Sequence, residues 1–129
     1  MGEINRYTIF CTPAVGVTGT GDATKTVIST EKITGTVRDV YREYLDSPPA
    51  GTTDVTIVEA YNDPPQEILV VLNSATDGWA APMKQAVLNT SGAAITNQGS
   101  PVIVDDYISV TIAQANDDDG VIVTLVVER

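Results

Sequence analysis

The sequence predicts an all-β protein that folds as a single-domain antiparallel β-sandwich, of which the jelly roll is one form. Short runs rich in Val, Ile and Thr recur roughly every ten residues and give about eight to ten strands. Clusters of Gly, Pro, Asn and Asp separate these runs, as the turns of a sandwich require. A chain of 129 residues can bury a core large enough to fold without disulfide staples. We therefore expect residues 1–129 to form one β-sandwich domain.

The first half of the chain divides into five predicted strands. Pro13 ends the first strand, and the glycine-rich stretch Ala14 to Asp22 is expected to be a flexible loop. The third segment also fits a helix, since Val37, Tyr41 and Tyr44 fall at helical spacing. Its many Thr, Gly and Val residues are poor helix formers, so we expect a strand there. The predicted strands are Tyr7–Thr12, Thr24–Thr30, Ile33–Leu45, Asp54–Ala60 and Glu67–Leu72.

The second half begins with a long predicted turn, Asn73 to Pro82, which contains Trp79. The last two of its predicted strands flank the acidic segment Asn116 to Gly120. This pattern predicts a β-hairpin whose glycine supplies the positive φ of a tight reversal. Asp105 and Asp106 are expected to form a turn before it, and the final strand either pairs inside a sheet or lies at its edge. The predicted strands are Met83–Leu88, Ala93–Thr96, Pro101–Val104, Tyr107–Ala113 and Val121–Glu128.

The charge of the chain restricts its partners. Seventeen acidic and seven basic side chains give a net charge of −10. This sign opposes the neutralisation of phosphates, so we expect no direct binding to nucleic acid. The N-terminus lacks the pattern of a secretory signal, and no apolar run approaches the roughly eighteen residues of a membrane helix. We expect a soluble protein with no membrane partner, in which the single cysteine, Cys11, is a small buried hydrophobe.

The residue types also argue against catalysis. The chain contains no histidine, which removes the commonest general base, the commonest metal ligand and the nucleophile pairs that depend on it. Paired carboxylates could still cleave glycosides, and Glu59, Glu67 and Glu128 are the nominal candidates. One Trp and one Phe leave little aromatic surface to hold a sugar ring. We therefore expect no catalytic residue, no cofactor and no enzymatic activity.

Asp117 and Asp119 are weak metal candidates. They lie in the segment Asn116 to Gly120, where oxygen ligands followed by a glycine resemble the start of an EF-hand loop. The match ends after the glycine, because the next residues form a predicted strand without the glutamate that completes such a loop. Asn, Asp and Gly are also the residues that turns select. A solvated turn is therefore the favoured interpretation, and no metal is expected.

Three side chains are candidates for an interface. Trp79 either caps one end of the sandwich, which is the favoured interpretation, or anchors a contact with another subunit. Arg38 and Arg42 alternate with Asp39 and Glu43, a mixed-charge pattern typical of a solvated sheet edge that discourages indiscriminate strand pairing. If these arginines reach a partner, acidic patches on a neighbouring subunit are the expected target.

Four segments carry a family resemblance: Thr53–Glu59, Pro64–Leu69, Thr76–Pro82 and Val104–Asn116. Their strand and turn patterns resemble those of small β proteins of tailed bacteriophage particles, the head decoration or cement proteins. The similarity spans about Gly35 to Glu128 and includes no catalytic motif. It implies a β-sandwich without a cofactor that binds the outside of the capsid and is oligomeric, often trimeric.

From the resemblance we expect a non-enzymatic structural protein of a phage virion, made in the host cytoplasm, that decorates or stabilises the capsid surface. The expected partners are the major capsid protein or another virion protein, together with further copies of the chain, with a trimer favoured. Another virion β module, such as a tail or fibre component, is the alternative. A carbohydrate-binding or calcium-dependent module is less favoured.

Overall fold

The computed structural model of the protein describes residues 2–11, 23–45, 50–82, 85–88, 91, 94–100 and 102–129. These residues form strands and turns with no helix among them, which confirms the all-β class. In this part of the chain, no helix is long and apolar enough to cross a membrane. The predicted flexible loop, residues 14–22, lies outside the described residues. The strands are β1 (Ile4–Cys11), β2 (Ala23–Ile28), β3 (Ile33–Tyr44), β4 (Asp54–Glu59), β5 (Glu67–Val71), β6 (Gly78–Ala80), β7 (Gln85–Leu88), β8 (Ala94–Ser100), β9 (Val102–Asp106), β10 (Ile108–Ala115) and β11 (Val121–Glu128).

Two antiparallel sheets form the predicted sandwich. The first sheet has the order β1-β11-β3-β6, and β9 pairs with the part of β3 that β6 leaves free. The second sheet has the order β2-β10-β4-β5. β7 and β8 form a separate pair. The β-sandwich predicted from the sequence is thus confirmed.

The strand pairs are nested along the chain. β1 pairs with β11, β2 with β10, β3 with β9 and β4 with β5, all antiparallel. Successive pairs alternate between the first and the second sheet. A long nested hairpin rolled into two sheets in this way is a jelly roll. The observed sandwich therefore has the jelly-roll form.

The inner faces of both sheets are aliphatic and meet to form the core. Each Val, Ile or Leu side chain that is fully buried there contributes about 1.5–3 kcal/mol. Cys11 is also fully buried, as predicted, and its thiol donates to the carbonyl of Lys25 at 3.3 Å. Burial raises the pKa of this thiol, which keeps it protonated and unreactive. The largest fully buried side chains are Ile33, Ile57, Ile68, Ile108, Ile112 and Leu125.

The hairpin predicted at the C-terminus is wrong. β10 and β11 belong to different sheets, so the segment Asn116 to Gly120 crosses from one sheet to the other. Asp118 takes the left-handed conformation in this turn, with a φ of 68°. β11 lies between β1 and β3, and the final strand is therefore paired inside a sheet. Turn residues signal that the chain reverses, but they do not specify which sheet the next strand joins.

The segment Ile33–Leu45, which also fits a helix by its spacing, forms strand β3 as predicted. It is not a sheet edge, because β11 pairs along one side while β6 and β9 cover the other. Gly35 is required there: its φ is 140°, and a Cβ would lie 2.6 Å from the carbonyl oxygen of Glu128. The register with β11 then shifts, so that Arg38 is the extra residue of a β-bulge.

Two short elements differ from the sequence prediction. Trp79 belongs to the three-residue strand β6 rather than to a continuous turn. Asp105 and Asp106 end strand β9 rather than forming a turn. β6 and β9 form because β3 is long enough to pair with both of them along the same edge. Such pairing depends on the tertiary structure and cannot be predicted from local composition.

Candidate binding face

The outer face of the first sheet carries large apolar side chains in two adjacent rows. The strand register places these residues side by side across β1, β11, β3 and β6. Because neighbouring strands lie about 4.8 Å apart, a row of four residues spans about 14 Å. We call these two rows the aromatic face. The first row is Thr8, Thr124, Tyr41 and Trp79, and the second is Phe10, Ile122 and Glu43.

Trp79 is the most prominent side chain of the aromatic face. It is 55% exposed and packs against Tyr41, with ring centroids 5.0 Å apart and planes tilted by 51°. Phe10, in the adjacent row, is 60% exposed. The prediction that Trp79 caps an end of the sandwich is wrong, because it lies on the outer surface of a sheet. A large, half-exposed aromatic side chain in this position is available for contact with another molecule.

Arg38 lies on the surface at the bulge of β3. Its guanidinium forms an ion pair with Glu128, and their side chains are 55% and 27% exposed. An exposed pair of this kind contributes about 0–1 kcal/mol. The pair holds the bulge against the end of β11 and leaves the Arg38 charge largely compensated.

Arg42 lies in a different environment from Arg38. It pairs with Val123 of β11, which is fully buried, and so the side chain of Arg42 projects from the inner face of β3. Nη2 of Arg42 contacts the hydroxyl of Ser74 at 3.5 Å. The prediction that both arginines occupy a solvated sheet edge is therefore wrong, since β3 is an interior strand.

The acidic turn is organised by its own backbone. Asp119 is almost fully buried, and its Oδ2 accepts hydrogen bonds from the N–H groups of Asn116 at 2.8 Å and Ala50 at 3.2 Å. Asp117 is half-buried in the same turn. Within the residues that the structure describes, no group of three potential metal ligands comes together. The carboxylate of Asp119 closes the crossover between the sheets.

The outer face of the second sheet is chemically different. Its central row contains three threonines, Thr26, Thr111 and Thr56, which the register aligns across β2, β10 and β4, and it ends at Val70 of β5. The hydroxyls of Thr26 and Thr111 lie 2.8 Å apart and share a hydrogen bond. We call this row the threonine face. It carries hydroxyl and methyl groups where the aromatic face carries rings.

A groove of ≈ 280 Å³ separates the two faces along one side of the sandwich. It lies where the edge strand of the first sheet, β1, meets the edge strand of the second, β2. Phe10 and Ile28 contribute exposed apolar atoms to its lining. The apolar surface of the aromatic face therefore extends to this side of the molecule.

A cluster that sequence reasoning missed ties the sheets together at one end of the sandwich. Asp106 of the first sheet accepts hydrogen bonds from the backbone N–H groups of Tyr61, Asn62 and Tyr107, each at 2.7 Å. The loop between β4 and β5 is thereby fixed to β9. Tyr61 and Tyr107 pack edge to face above it, with ring centroids 5.8 Å apart.

The pKa of Asp106 reflects these contacts. Burial alone would raise it, but the N–H donors of Tyr61, Asn62 and Tyr107 outweigh that effect, so the pKa lies below its ordinary value. The pKa of the neighbouring Asp105 is also lowered, first by the hydroxyl of Thr34 at 2.8 Å and then by Lys32. The two carboxylates therefore stay ionised at neutral pH.

The nominal catalytic carboxylates are placed in separate structural roles. Glu59 is buried and accepts hydrogen bonds from the N–H of Gln66 and the side chain of Asn62, both at 3.0 Å. Glu67 is exposed at the start of β5 in the same sheet. Glu128 lies in the first sheet, where it pairs with Arg38. Glu59 thus stabilises a loop, and Glu128 stabilises a bulge.

Comparison of the sequence with profiles of known protein families and with curated proteins finds no match. Two solved structures show limited similarity. A mutant of CBM29-2, a family 29 carbohydrate-binding module, is 9% identical, with a TM-score of 0.38 over 98% of this chain and 81% of that chain. Hydroquinone 1,2-dioxygenase PnpCD is 14% identical, with a TM-score of 0.20 over 90% of this chain and 63% of that chain. Similarity at this level carries no argument about function.

Proposed function

We propose that the protein is a non-enzymatic structural component of a tailed-phage virion, which binds the outside of the capsid through its aromatic face. The observation that supports this most directly is the half-exposed Trp79 beside Tyr41 on the outer surface of a sheet. Aromatic side chains that become buried on association commonly supply most of the energy of a protein interface. The strand and turn segments resemble those of head decoration proteins. For this reason we propose the major capsid protein or another virion protein as the partner.

The charge distribution is compatible with this role. A net charge of −10 keeps the free surfaces of a protein displayed at high density from adhering to one another. The aromatic face, by contrast, has Glu43 as the one acidic residue in its two rows. We include self-association in the proposal, with a trimer favoured, because several copies on one lattice would strengthen a weak contact through multivalency.

Capsid particles prepared with and without the protein test the proposal by electron microscopy. We expect additional density at fixed lattice positions on the shell and greater resistance of the particles to heat. The variant Trp79→Ser should reduce occupancy of the shell about tenfold or more, since loss of an aromatic anchor costs about 2 kcal/mol or more. Leu72→Ser is the matched control, because Leu72 is 62% exposed but lies outside the aromatic face.

Three outcomes would contradict the proposal. Equal occupancy by the Trp79 and Leu72 variants would show that the aromatic face is not the contact. Density on the tail and never on the shell would favour the tail or fibre alternative. A melting temperature that rises with calcium and falls with chelator would instead indicate a calcium-dependent module.

A further inference from the structure

Arg42 presents one edge of its guanidinium that is hardly used. Its Nε is buried and has no hydrogen-bond partner in the part of the chain that the structure describes. Its Nη2 reaches the hydroxyl of Ser74 only at 3.5 Å, the limit of a hydrogen bond. The N–H groups of Nε and Nη2 point in the same direction along one edge of the planar guanidinium. This edge can bind a carboxylate through two parallel hydrogen bonds.

The hydroxyl of Tyr44 is a second buried donor, and no described residue hydrogen-bonds to it. Among the described residues, Nε of Arg42 and the Tyr44 hydroxyl are the two buried side-chain polar atoms that lack a hydrogen bond. Both side chains project from the same face of β3, and their Cα atoms lie about 7 Å apart along the strand. Buried polar groups are hydrogen-bonded to protein or to ordered water in nearly all proteins, so two such donors on one face mark a position at which an acceptor would be stabilised.

There is room for an acceptor beside them. Gly78 of β6 pairs directly with Arg42, and so its missing side chain would project on the same face of the sheet. A Cβ placed on Gly78 meets no heavy atom of the described residues within 4 Å. Ser74 lies in the segment that follows β5 of the second sheet, and its hydroxyl, 3.5 Å from Nη2 of Arg42, is free to donate to an acceptor bound beside that nitrogen.

Arg42 has no ion pair with any of the described residues. The ion pairs of the described residues join Lys32 to Asp105 and Arg38 to Glu128. Asp77 contacts this part of β3 through the backbone, because its Oδ1 accepts the N–H of Tyr44 at 2.8 Å. A positive charge without a paired carboxylate attracts an anion, and the planar fork of arginine favours a carboxylate.

We propose that Arg42, Tyr44 and Ser74 form a binding site for a carboxylate group. The carboxylate accepts hydrogen bonds from Nε and Nη2 of Arg42, and the two hydroxyls donate to its remaining lone pairs. The site lies on the inner face of β3, away from the aromatic face, and so it does not depend on the proposed binding to a capsid. Its ligand is either a small free carboxylate or an acidic side chain of a second copy of this chain.

Nuclear magnetic resonance of the ¹⁵N-labelled protein tests the site with acetate as the probe. Acetate replaces chloride at constant ionic strength while the Nε–H signal of Arg42 and the backbone amide of Gly78 are followed. We expect both signals to shift and to saturate together. The Nε–H signal of Arg38 is the internal control, since Arg38 is exposed and paired with Glu128.

Variants identify the groups that bind. Tyr44→Phe should weaken acetate binding about threefold to tenfold, the value of one hydrogen bond. Tyr41→Phe is the matched control, because it removes the same hydroxyl from the other face of β3 and should leave binding unchanged. Arg42→Lys keeps the charge but removes the fork, and binding followed at Gly78 should weaken about tenfold or more.

Dilution of the wild-type protein without acetate distinguishes the two sources of the carboxylate. A free ligand leaves the Arg42 signal independent of protein concentration, whereas a side chain of a second copy makes it depend on concentration. Signals that neither saturate with acetate nor change on dilution would overturn the proposal, as would equal effects of Tyr44→Phe and Tyr41→Phe. Gly78→Val should block acetate by filling the space, with both donors left in place.

Discussion

The two outer faces of the sandwich differ far more than its two inner faces. Inside, both sheets contribute mainly Val, Ile and Leu side chains to a common core. Outside, the aromatic face carries Phe10, Tyr41 and Trp79, whereas the threonine face carries Thr26, Thr111 and Thr56. Threonine and the aromatic residues are all good strand formers, so folding alone does not choose between them. The difference is the one expected if the aromatic face, as proposed above, is the face that binds a partner.

The largest loss of stability should come from a substitution on an inner face, because the core supports both sheets. Leu125 is fully buried in β11, and its neighbour Thr124 projects into the aromatic face. Leu125→Ala should lower the free energy of unfolding by about 2–5 kcal/mol. Thr124→Ala should change it by about 0.5 kcal/mol or less. Urea denaturation measures both, and similar losses would show that the outer face also contributes to folding.

The next effect concerns Asp106, which joins the first sheet to the loop of the second. Its pKa is lowered in the folded protein, so its contribution to stability is complete above about pH 5 and declines as the pH falls through the folded pKa, below about 3.9. Asp106→Asn should therefore destabilise the protein at pH 7 and much less at low pH. Asp63→Asn, in the same loop but exposed, is the control.

Denaturation across this pH range checks the prediction about Asp106. The stability difference between wild type and Asp106→Asn should shrink steadily on acidification. A difference that stays constant with pH would mean that the charge of the carboxylate is unimportant and that its hydrogen-bonding geometry alone matters.

The class of fold could be predicted from the sequence because it depends on local patterns. Alternating Val and Ile residues and the turn residues between them place most of the strands within a few residues of their observed bounds. The position of β11 could not be predicted in this way, since the turn at Asn116 to Gly120 has the same composition whether the next strand pairs with β10 or crosses to the other sheet. Pairing partners are set by the core as a whole.

The candidate site was predictable only as a list of residue types. Trp79 is recognisable as a candidate contact because it is the single tryptophan, but its partner Tyr41 is far away in the sequence and is brought beside it by the pairing of β3 with β6. Arg38 and Arg42 look alike in sequence, yet the bulge at Arg38 leaves one on the surface and directs the other inward. A register shift of one residue reverses the face of every later side chain.

A smaller effect should appear within the aromatic face itself. A double-mutant cycle with Tyr41→Ser and Trp79→Ser removes each ring singly and then both. The tilted contact at 5.0 Å should give a coupling energy of about 0.5–1.5 kcal/mol. Thermal or chemical unfolding of the four proteins measures it. No coupling would mean that Tyr41 does not hold Trp79 in place for a partner.

The smallest effect is expected for the corresponding cycle on the threonine face. Thr26→Val and Thr111→Val remove the hydroxyls that lie 2.8 Å apart and replace them with methyl groups of nearly the same volume. The shared hydrogen bond is exposed, so water replaces it, and the coupling should be about 0.2–0.5 kcal/mol. A coupling energy larger than that of Tyr41 with Trp79 would reverse the contrast between the faces. The threonine face would then be the more rigid surface and the better candidate for binding a partner.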